Sequence, residues 1–356
     1  MAFAFVLDGQ PISLSPCDSG HINTTFLLET DRGARYILQK INRQVFHNVP
    51  ALMSNIQAVT DHLWNKDPDE RHVMRLMPTL DGALYAVDEQ GEYWRVCVFI
   101  KDSVCLESAS TAEEFQESGV AFGRFQNMLS DFPADKLSET IPGFHDTVSR
   151  YRKFHEVLSA DPAHRAGDVK PEIDFFLAHE EEAGIMVGMQ KNGQLPLRVT
   201  HNDTKLNNVL LDETTHEPLC VIDLDTVMPG LCGNDFGDSI RFGASTAAED
   251  ERDLSRVSMS LPMFEAYARG FLSACGKSLT PLEIETLPLA AKLITLECGL
   301  RFLTDHLEGD VYFRIHRPGH NLDRCRTQLQ LVLDMERKYG EMQSIISRES
   351  ELVIHS

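Results

Sequence analysis

Acidic and amide side chains are grouped in two neighbouring segments near the middle of the chain. The segment HNDTKLNN supplies Asp203, Lys205 and Asn208, and the later segment VIDLD supplies Asp223 at the end of an apolar run over residues 219–222. Such a run is typical of a strand that delivers a carboxylate to a loop. Carboxylate and amide oxygens are the protein ligands that Mg²⁺ prefers, and it takes only one or two of them. We therefore expect Asn208 and Asp223 to bind magnesium.

The first segment also matches the spacing H-x-D-x-x-x-x-N of a kinase catalytic loop, with His201, Asp203 and Asn208 in frame. Phosphoryl transfer requires a group that orients the acceptor hydroxyl and accepts its proton, and a metal that neutralises the triphosphate. Asp203 is the candidate base, and we expect it to contact the acceptor. Lys205 is the candidate that places positive charge near the transferring phosphoryl group. The spacing thus predicts ATP as co-substrate and Mg²⁺ as cofactor.

Two other interpretations of these acidic residues compete with the catalytic one. Asp203 and Asn208 could simply form turns, as such residues often do, and Asp223 could cap another element. The sequence Asp235-Phe236-Gly237 also spells the metal-binding motif of protein kinases, but it stands 32 residues after Asp203, which is too far for that role. We expect Asp235 and Asp238 to brace the catalytic loop by accepting hydrogen bonds from its backbone.

The region before residue 102 predicts the element that must face this loop. The segments 24–30 and 35–41 flank a turn, and so do 84–90 and 92–100, which is the pattern of antiparallel hairpins. Between them, apolar residues at helical spacing follow Asn48, a potential helix cap. Long amphipathic periodicities dominate after residue 102. We expect an α+β, bilobal, protein-kinase-like fold, with a β-rich nucleotide-binding lobe over 1–101 and a mostly helical catalytic and substrate-binding lobe over 102–356.

The β-rich lobe offers candidates for nucleotide contact at a turn, a strand and a hinge. The turn lies in the segment 19–25, where backbone N–H groups could face phosphates. On the strand RYILQKI only one of Gln39 and Lys40 can face the cleft, and the pattern leaves open which. The segment 98–100 has the place of a hinge whose backbone would bind adenine. The predicted contacts are Gly20, Asn23, Thr24, Lys40, Phe99 and Ile100.

The segments HNDTKLNN and VIDLD resemble the aminoglycoside phosphotransferase and choline kinase superfamily of small-molecule kinases. Longer stretches, among them LRVTHNDTKLNNVLLD and RFLTDHLEGDVYFRIHRPGHNLDRCRTQ, are similar to the N-acetylhexosamine kinases of that superfamily. The resemblance implies transfer of the ATP γ-phosphoryl group to the anomeric hydroxyl of an N-acetylhexosamine. It assigns Asp203 as base and Asn208 and Asp223 as metal ligands. Two departures are the uncertain Lys40 and the absence of a glutamate in the following helix.

The same resemblance places the sugar between the catalytic loop and the helical region. The candidate walls and hydroxyl contacts there are Phe242, Arg301, Tyr312 and Arg314. Arginines on an acidic protein also commonly form ion pairs, and this alternative stays open for Arg301 and Arg314. His316 and His320 stand in H-x-x-x-H spacing, but Pro318 between them opposes a helical metal site, and we expect solvated or hydrogen-bonded histidines instead.

Composition limits the class of partner. The 33 basic residues and 54 acidic residues give a formal charge of -21, which repels nucleic acids and anionic lipid surfaces. The eight cysteines include no C-x-x-C pair, and no apolar stretch is long enough to span a bilayer. We expect a cytoplasmic protein that binds a small sugar and ATP. Phosphorylation of another alcohol, such as choline, homoserine or an aminoglycoside, and a nucleotide-binding pseudokinase are the alternatives.

Overall fold

A computed structural model describes residues 1–17 and 22–354 of the chain. The N-terminal part is a six-stranded sheet in which every pairing is antiparallel, with the order β1-β2-β3-β6-β4 and β5 paired to β6. Its strands are β1 (Pro11–Cys17), β2 (Thr24–Thr30), β3 (Arg35–Lys40), β4 (Leu76–Met77), β5 (Ala86–Val87) and β6 (Tyr93–Val98).

One helix, α1 (Val49–Lys66), lies between β3 and β4 in the chain. The side chain of Asn48 accepts a hydrogen bond from the Ala51 N–H, and Pro50 lies in the first turn, as expected for a helix start. The apolar residues Leu52, Ile56 and Val59 are buried in the core that α1 shares with the rest of the chain. The helix predicted between the two hairpins is confirmed.

The remaining elements form a mostly helical part with short strands between the helices. The strands are β7 (Ser103–Cys105), β8 (Arg198–Thr200), β9 (Val209–Asp212), β10 (Pro218–Val221) and β11 (Met228–Gly230). The helices are α2 (Ala112–Met128), α3 (Thr147–Ala160), α4 (Lys170–Ala178), α5 (Glu180–Ala183), α6 (Ile185–Lys191), α7 (Cys232–Gly243), α8 (Leu261–Cys275), α9 (Pro281–Glu285), α10 (Leu287–Glu308), α11 (His320–Arg337) and α12 (Tyr339–Ile354).

Two small sheets carry the predicted catalytic segments. β7, β9 and β10 form one antiparallel sheet, and β8 pairs with β11 in another. The loop after β8 and the loop after β10 are thereby held side by side. The expected α+β fold with a β-rich part and a larger helical part is confirmed. The lobe boundary that we predict near residue 101 falls between β6 and β7.

Two of the amphipathic segments after residue 102 are divided into shorter helices in the structure. The segment 171–190 breaks at His179 and Gly184, and the segment 281–306 breaks at Thr286. Pro288 stands in the first turn of α10, where a backbone N–H is not needed for the hydrogen bonds of the helix. Because proline lacks this N–H, it cannot continue the hydrogen-bond pattern of α9. Among the described residues, no helix combines the length and apolarity that crossing a bilayer requires.

Helices α2 and α8 approach so closely that their contact requires glycine. A Cβ atom on Gly270 would lie 2.1 Å from the carbonyl oxygen of Gln116, and one on Gly123 would lie 2.6 Å from that of Phe271. The apolar core next to this contact contains the rings of Phe236, Tyr267 and Phe271. Close backbone approach therefore fixes α8 against α2.

We predict that Gly270→Ala destabilises the protein by at least about 1–3 kcal/mol, because the new methyl group overlaps backbone atoms that cannot move independently. The measurement is the free energy of unfolding from chemical denaturation. Gly340→Ala is the control, because it places the methyl group on helix α12 with no atom within 4 Å. We expect this control to be neutral or more stable by up to ~1 kcal/mol. Equal stability of the two variants would contradict the proposed helix contact.

Candidate active site

A cleft between the N-terminal sheet and the loops after β8 and β10 contains a cavity of about 430 Å³. Polar residues from both sides line it. Those of the sheet side include Asn23, Thr25, Gln39 and Arg95, and those of the loop side include Asp203, Lys205, Asn208 and Asp223. The three residues predicted to act as base and metal ligands therefore face one cavity. Their roles in catalysis remain predictions.

The backbone of the catalytic loop is held by two aspartates of α7. The carboxylate of Asp235 accepts hydrogen bonds from the N–H groups of His201 at 2.9 Å and Asn202 at 2.8 Å. Asp238 accepts one from the Thr204 N–H at 3.1 Å. The bracing role expected for Asp235 and Asp238 is confirmed. It also explains how Asn202 keeps a left-handed backbone, with φ of 64°.

His201 connects the two loops that carry the predicted site. Its Nε2 atom lies 2.8 Å from the carbonyl oxygen of Ile222, the residue before Asp223. The ring is fully buried and packs edge-on against Phe122 and Phe125 of α2. His201 therefore stabilises the position of Asp223 and does not itself line the cavity.

Asp203 and Asn208 are locked together by hydrogen bonds. The Nδ2 group of Asn208 donates to the Asp203 carbonyl oxygen at 2.8 Å and to Asp203 Oδ2 at 3.2 Å. Lys205 Nζ lies 2.8 Å from the other carboxylate oxygen, Oδ1. Since Nδ2 of Asn208 points at Asp203, its Oδ1 oxygen is the atom that can bind a cation.

The carboxylates of the cleft create a site that favours a cation. The pKa of Asp223 is raised to about 6, first because surrounding protein atoms displace much of its water and then by repulsion from Asp225 and Asp203. A bound divalent cation would remove this repulsion and supply charge neutralisation for phosphates. The donor set of one amide oxygen and one carboxylate fits Mg²⁺, which keeps its other positions for water and phosphate.

Lysine 205 is the cation next to the candidate base. Burial lowers its pKa, but the carboxylates of Asp203 and Asp238 outweigh that effect, so the pKa is raised overall. Lys205 therefore stays charged at neutral pH. Its ammonium group is held beside Asp203, where it can also approach a transferring phosphoryl group.

Two predicted nucleotide contacts, Lys40 and Thr24, point away from the cleft. Lys40 Nζ lies 4.0 Å from Glu92, both side chains are partly exposed, and Thr24 pairs with Lys40 across β2 and β3. Because side chains alternate along a strand, the neighbours Gln39 and Thr25 line the cavity instead. Lys40 and Thr24 thus do not line the cavity, and Gln39 is the β3 residue that faces the cleft.

The other nucleotide candidates have mixed outcomes. Asn23, Phe99 and Ile100 line the cavity, and the last two directly follow β6, where a hinge is expected. The guanidinium of Arg35 lies 4.2 Å from the Phe99 ring centroid. Gly20 lies outside the described residues. A contact between adenine and this hinge stays a prediction.

Arg95 is a cleft residue that sequence reasoning did not identify. Its side chain is only 2% exposed and forms an ion pair with Asp225, while its Nε donates to Gln39 Oε1 at 2.9 Å. Burial lowers the pKa of Arg95, but Asp225 outweighs it and the pKa is raised. An arginine inside the otherwise apolar run of β6 was the available signal, since buried charges need a specific partner.

Of the residues predicted to contact the acceptor, Asp203 lines the 430 Å³ cavity, whereas Phe242, Arg301, Tyr312 and Arg314 do not. The guanidinium of Arg301 lies 5.6 Å from the ring centroid of Phe144 and 5.5 Å from that of Phe313. Tyr312 is exposed beside Phe313, and Arg314 is also exposed. Phe242 is partly buried on α7. The structure thus brings Arg301 and Tyr312 into one aromatic neighbourhood around Phe313.

Arg301 interacts electrostatically with Glu297, a buried carboxylate not identified from the sequence. Glu297 lies one helical turn before Arg301 on α10 and accepts hydrogen bonds from Thr147 at 2.7 Å and His145 at 3.0 Å. Burial raises its pKa, but His145 and then Arg301 outweigh that effect, and the pKa is lowered overall. The spacing of four residues between Glu297 and Arg301 was the local signal.

Of the two histidines, His320 has a hydrogen-bonded ring and His316 is exposed, as expected. His320 Nε2 lies 3.0 Å from Asp250, and the N–H of His316 donates to His320 Nδ1 at 3.2 Å. Both ring nitrogens of His320 are thus occupied by protein groups.

The sequence profile of the phosphotransferase enzyme family matches residues 13–268, and the chain belongs to that family. A microcompartment-associated aminopropanol kinase is 16% identical, with a TM-score of 0.67 over 96% of both chains. The amicoumacin kinase hAmiN, solved with AMP-PNP, Ca²⁺ and Ami, is 15% identical, with a TM-score of 0.60 over 92% of this chain and 91% of that one. The choline kinase of Cryptosporidium parvum is 14% identical, with a TM-score of 0.55 over 95% and 92%. These likenesses show a common fold.

We predict that Asp203→Asn lowers kcat by about 10²–10⁴-fold, because an amide cannot accept the acceptor proton. Affinity for MgATP should remain within a few-fold of the parent, since Asn208 and Asp223 are retained. ADP release and calorimetric nucleotide binding measure the two effects. The exposed Asp135→Asn is the matched control and should change neither. Full activity of the Asp203 variant would rule out the assigned base.

Proposed function

We propose that the protein is an N-acetylhexosamine 1-kinase, which transfers the γ-phosphoryl group of ATP to the anomeric hydroxyl of N-acetylglucosamine or N-acetylgalactosamine. The observation that carries phosphoryl transfer is the convergence of Asp203, Asn208 and Asp223 on one cleft, in a chain of the phosphotransferase enzyme family. The choice of an amino sugar rests on the resemblance of long sequence stretches to N-acetylhexosamine kinases.

In this proposal Asp203 orients the anomeric hydroxyl and accepts its proton as the new O–P bond forms and the bond to the β-phosphate breaks. Lys205 and Asn208 hold both oxygens of the carboxylate, so that its orientation is set before the sugar binds. Asn208 and Asp223 would hold Mg²⁺, which neutralises charge on the phosphates. The products are the sugar 1-phosphate and ADP.

The two parts of the chain would divide the substrates between them. Residues 1–101 would bind the nucleotide through the sheet face and the hinge at Phe99 and Ile100. Residues 102–356 would carry the catalytic loop and the sugar site. The neighbourhood of Arg301, Phe144, Phe313 and Tyr312 is the proposed acceptor end, with Phe242 and Arg314 as further candidates. We place the protein in the cytoplasm, where ATP and amino sugars are both available.

Arginine at the acceptor end favours a neutral sugar over a cationic amine. Burial lowers the pKa of Arg150, and the positive charge of the nearby Arg301 lowers it further. A choline-like or ethanolamine-like acceptor would meet this positive charge, whereas hydroxyl and acetamido oxygens accept hydrogen bonds from guanidinium groups. A pseudokinase is disfavoured by the presence of all three predicted catalytic and metal-binding side chains in the cleft.

A panel of acceptors tests the substrate class. With MgATP, we expect N-acetylglucosamine and N-acetylgalactosamine to give the highest kcat/KM, and choline, ethanolamine, homoserine and an aminoglycoside to give little or no ADP. Phosphorus NMR should identify the product as the 1-phosphate and not the 6-phosphate. Strong turnover of an amino alcohol without turnover of amino sugars would contradict the sugar assignment. Nucleotide binding without turnover of any acceptor would favour a pseudokinase.

Arg301→Met tests the proposed acceptor end. The side chain keeps much of its apolar length but loses the guanidinium, so we expect the KM for the sugar to rise about 10-fold or more. The KM for ATP should stay within two-fold, because Arg301 is absent from the nucleotide cleft. Arg337→Met, at an exposed arginine of α11, is the matched control. An unchanged sugar KM in the Arg301 variant would exclude this residue from the acceptor site.

A further inference from the structure

The described lining of the cleft contains two cations, Lys205 on the loop side and Arg95 on the sheet side. The described residues that line the cavity include five charged side chains: Arg95, Glu107, Asp203, Lys205 and Asp223. Lys205 is paired with Asp203 at 2.8 Å. A triphosphate carries several negative charges, and the protein as a whole has a formal charge of -21. A positive group on the sheet side is therefore required, and Arg95 is the described residue that provides it.

The usual strand lysine and helix glutamate of kinases are both missing from this cleft. Lys40 of β3 points to the opposite face of the sheet, and helix α1 contains no glutamate over residues 49–66. Arg95 stands on β6 directly opposite Gln39 of β3, and Arg95 Nε donates to the Gln39 side chain. The positive charge on the sheet side of the cleft is thus on β6, at the position that pairs with Gln39 of β3.

We propose that the Arg95–Asp225 pair replaces that lysine–glutamate pair, with Arg95 binding the α- and β-phosphates of ATP and Asp225 positioning its guanidinium. The proposal rests on the kinase function proposed above. Arg95 uses Nε for Gln39 and Nη1 for Asp225, and Nη2 has no hydrogen-bond partner among residues 1–17 and 22–354. A planar guanidinium can thus keep both protein bonds and still donate to a phosphate oxygen.

Asp225 is well placed for the positioning role. It is only two residues after Asp223, so the group that orients Arg95 belongs to the same loop as the predicted metal ligand. Its second oxygen accepts a hydrogen bond from Asn23 Nδ2 at 2.5 Å, and Asn23 in turn accepts one from the Asn42 N–H at 3.0 Å. Asp225, in the loop after β10, therefore connects this loop to Arg95 and Asn23 on the sheet side of the cleft.

A purely structural role is the rival explanation, because a buried ion pair that joins two parts of a chain can serve only to hold them together. The two roles differ in which nucleotides they affect. Loss of a phosphate-binding cation lowers the affinity for ATP and ADP but not for adenosine. Loss of a structural ion pair lowers the affinity for all three ligands together and also lowers the Tm.

Isothermal titration calorimetry of the full chain with MgATP, MgADP and adenosine separates these roles. For Arg95→Gln we expect ATP and ADP affinity to fall about 10- to 100-fold, as for a lost charge-assisted bond, with adenosine affinity within two-fold. Arg95→Lys should fall between Arg95→Gln and the parent. Arg43→Gln, at an exposed arginine outside the cavity, is the matched control and should leave all three affinities unchanged.

A relocated charge gives a second test. In the double variant Gln39→Lys with Arg95→Gln, a cation occupies the cleft-facing position of β3. We expect at least half of the lost ATP affinity, measured on a logarithmic scale, to be recovered. If Arg95→Gln is poorly folded because Asp225 is left unpaired, the double variant Arg95→Gln with Asp225→Asn removes both charges and carries the same comparison.

The outcomes distinguish this proposal from the kinase function on which it rests. An unchanged ratio of ATP to adenosine affinity in the folded Arg95 variants, with normal binding by the parent chain, would overturn the role of Arg95 alone. Failure of the parent chain to bind MgATP would overturn the kinase proposal as well. No acceptor is present in these measurements, so the identity of the sugar does not affect them.

Discussion

The position of the candidate catalytic loop depends on one buried carboxylate, Asp235. It is fully buried and accepts hydrogen bonds from the N–H groups of His201 and Asn202 and from the side chain of Gln126 on α2. A buried carboxylate is tolerated only when its oxygens are satisfied, so the loop backbone and the helices α2 and α7 constrain one another. The side chain of Asp203, directly after this anchored backbone, is therefore directed into the cleft by the packing of α2 and α7.

The second constraint is electrostatic. An acidic chain must present positive charge where a polyanion is to bind, and it must hold that charge in place when no ligand is present. Both cleft cations solve this in the same way, because Arg95 is paired with Asp225 and Lys205 with Asp203. Each pair keeps the cation oriented and charged, as the raised pKa of Arg95 and of Lys205 indicates. The carboxylate of Asp223 is left as the natural partner of a divalent cation.

Prediction from the sequence was most successful where local patterns decide the structure. The hairpin strands around residues 24–41 and the capped helix α1 follow from alternation, turn residues and helical spacing. It was less successful for helix ends and very short strands. The predicted strand 84–90 is reduced to Ala86–Val87, because Asp88 accepts hydrogen bonds from the N–H groups of Gln90 and Glu92 and turns the chain early. Amphipathic spacing likewise continues across the breaks within 171–190 and 281–306, and tertiary packing decides where each helix stops.

The sequence by itself determined the fold class and the grouping of Asp203, Asn208 and Asp223, because a short loop and the following pair of strands, β9 and β10, set their separation. Only the tertiary structure decided which side of β3 faces the cleft, since the pattern of that strand allows either Gln39 or Lys40. It also decided the pairing of Arg95 with Asp225, whose positions are 130 residues apart. Such a contact depends on the register of β6 and on how the sheet meets the loop after β10. Neither is encoded in local spacing, because both result from the packing of the whole chain.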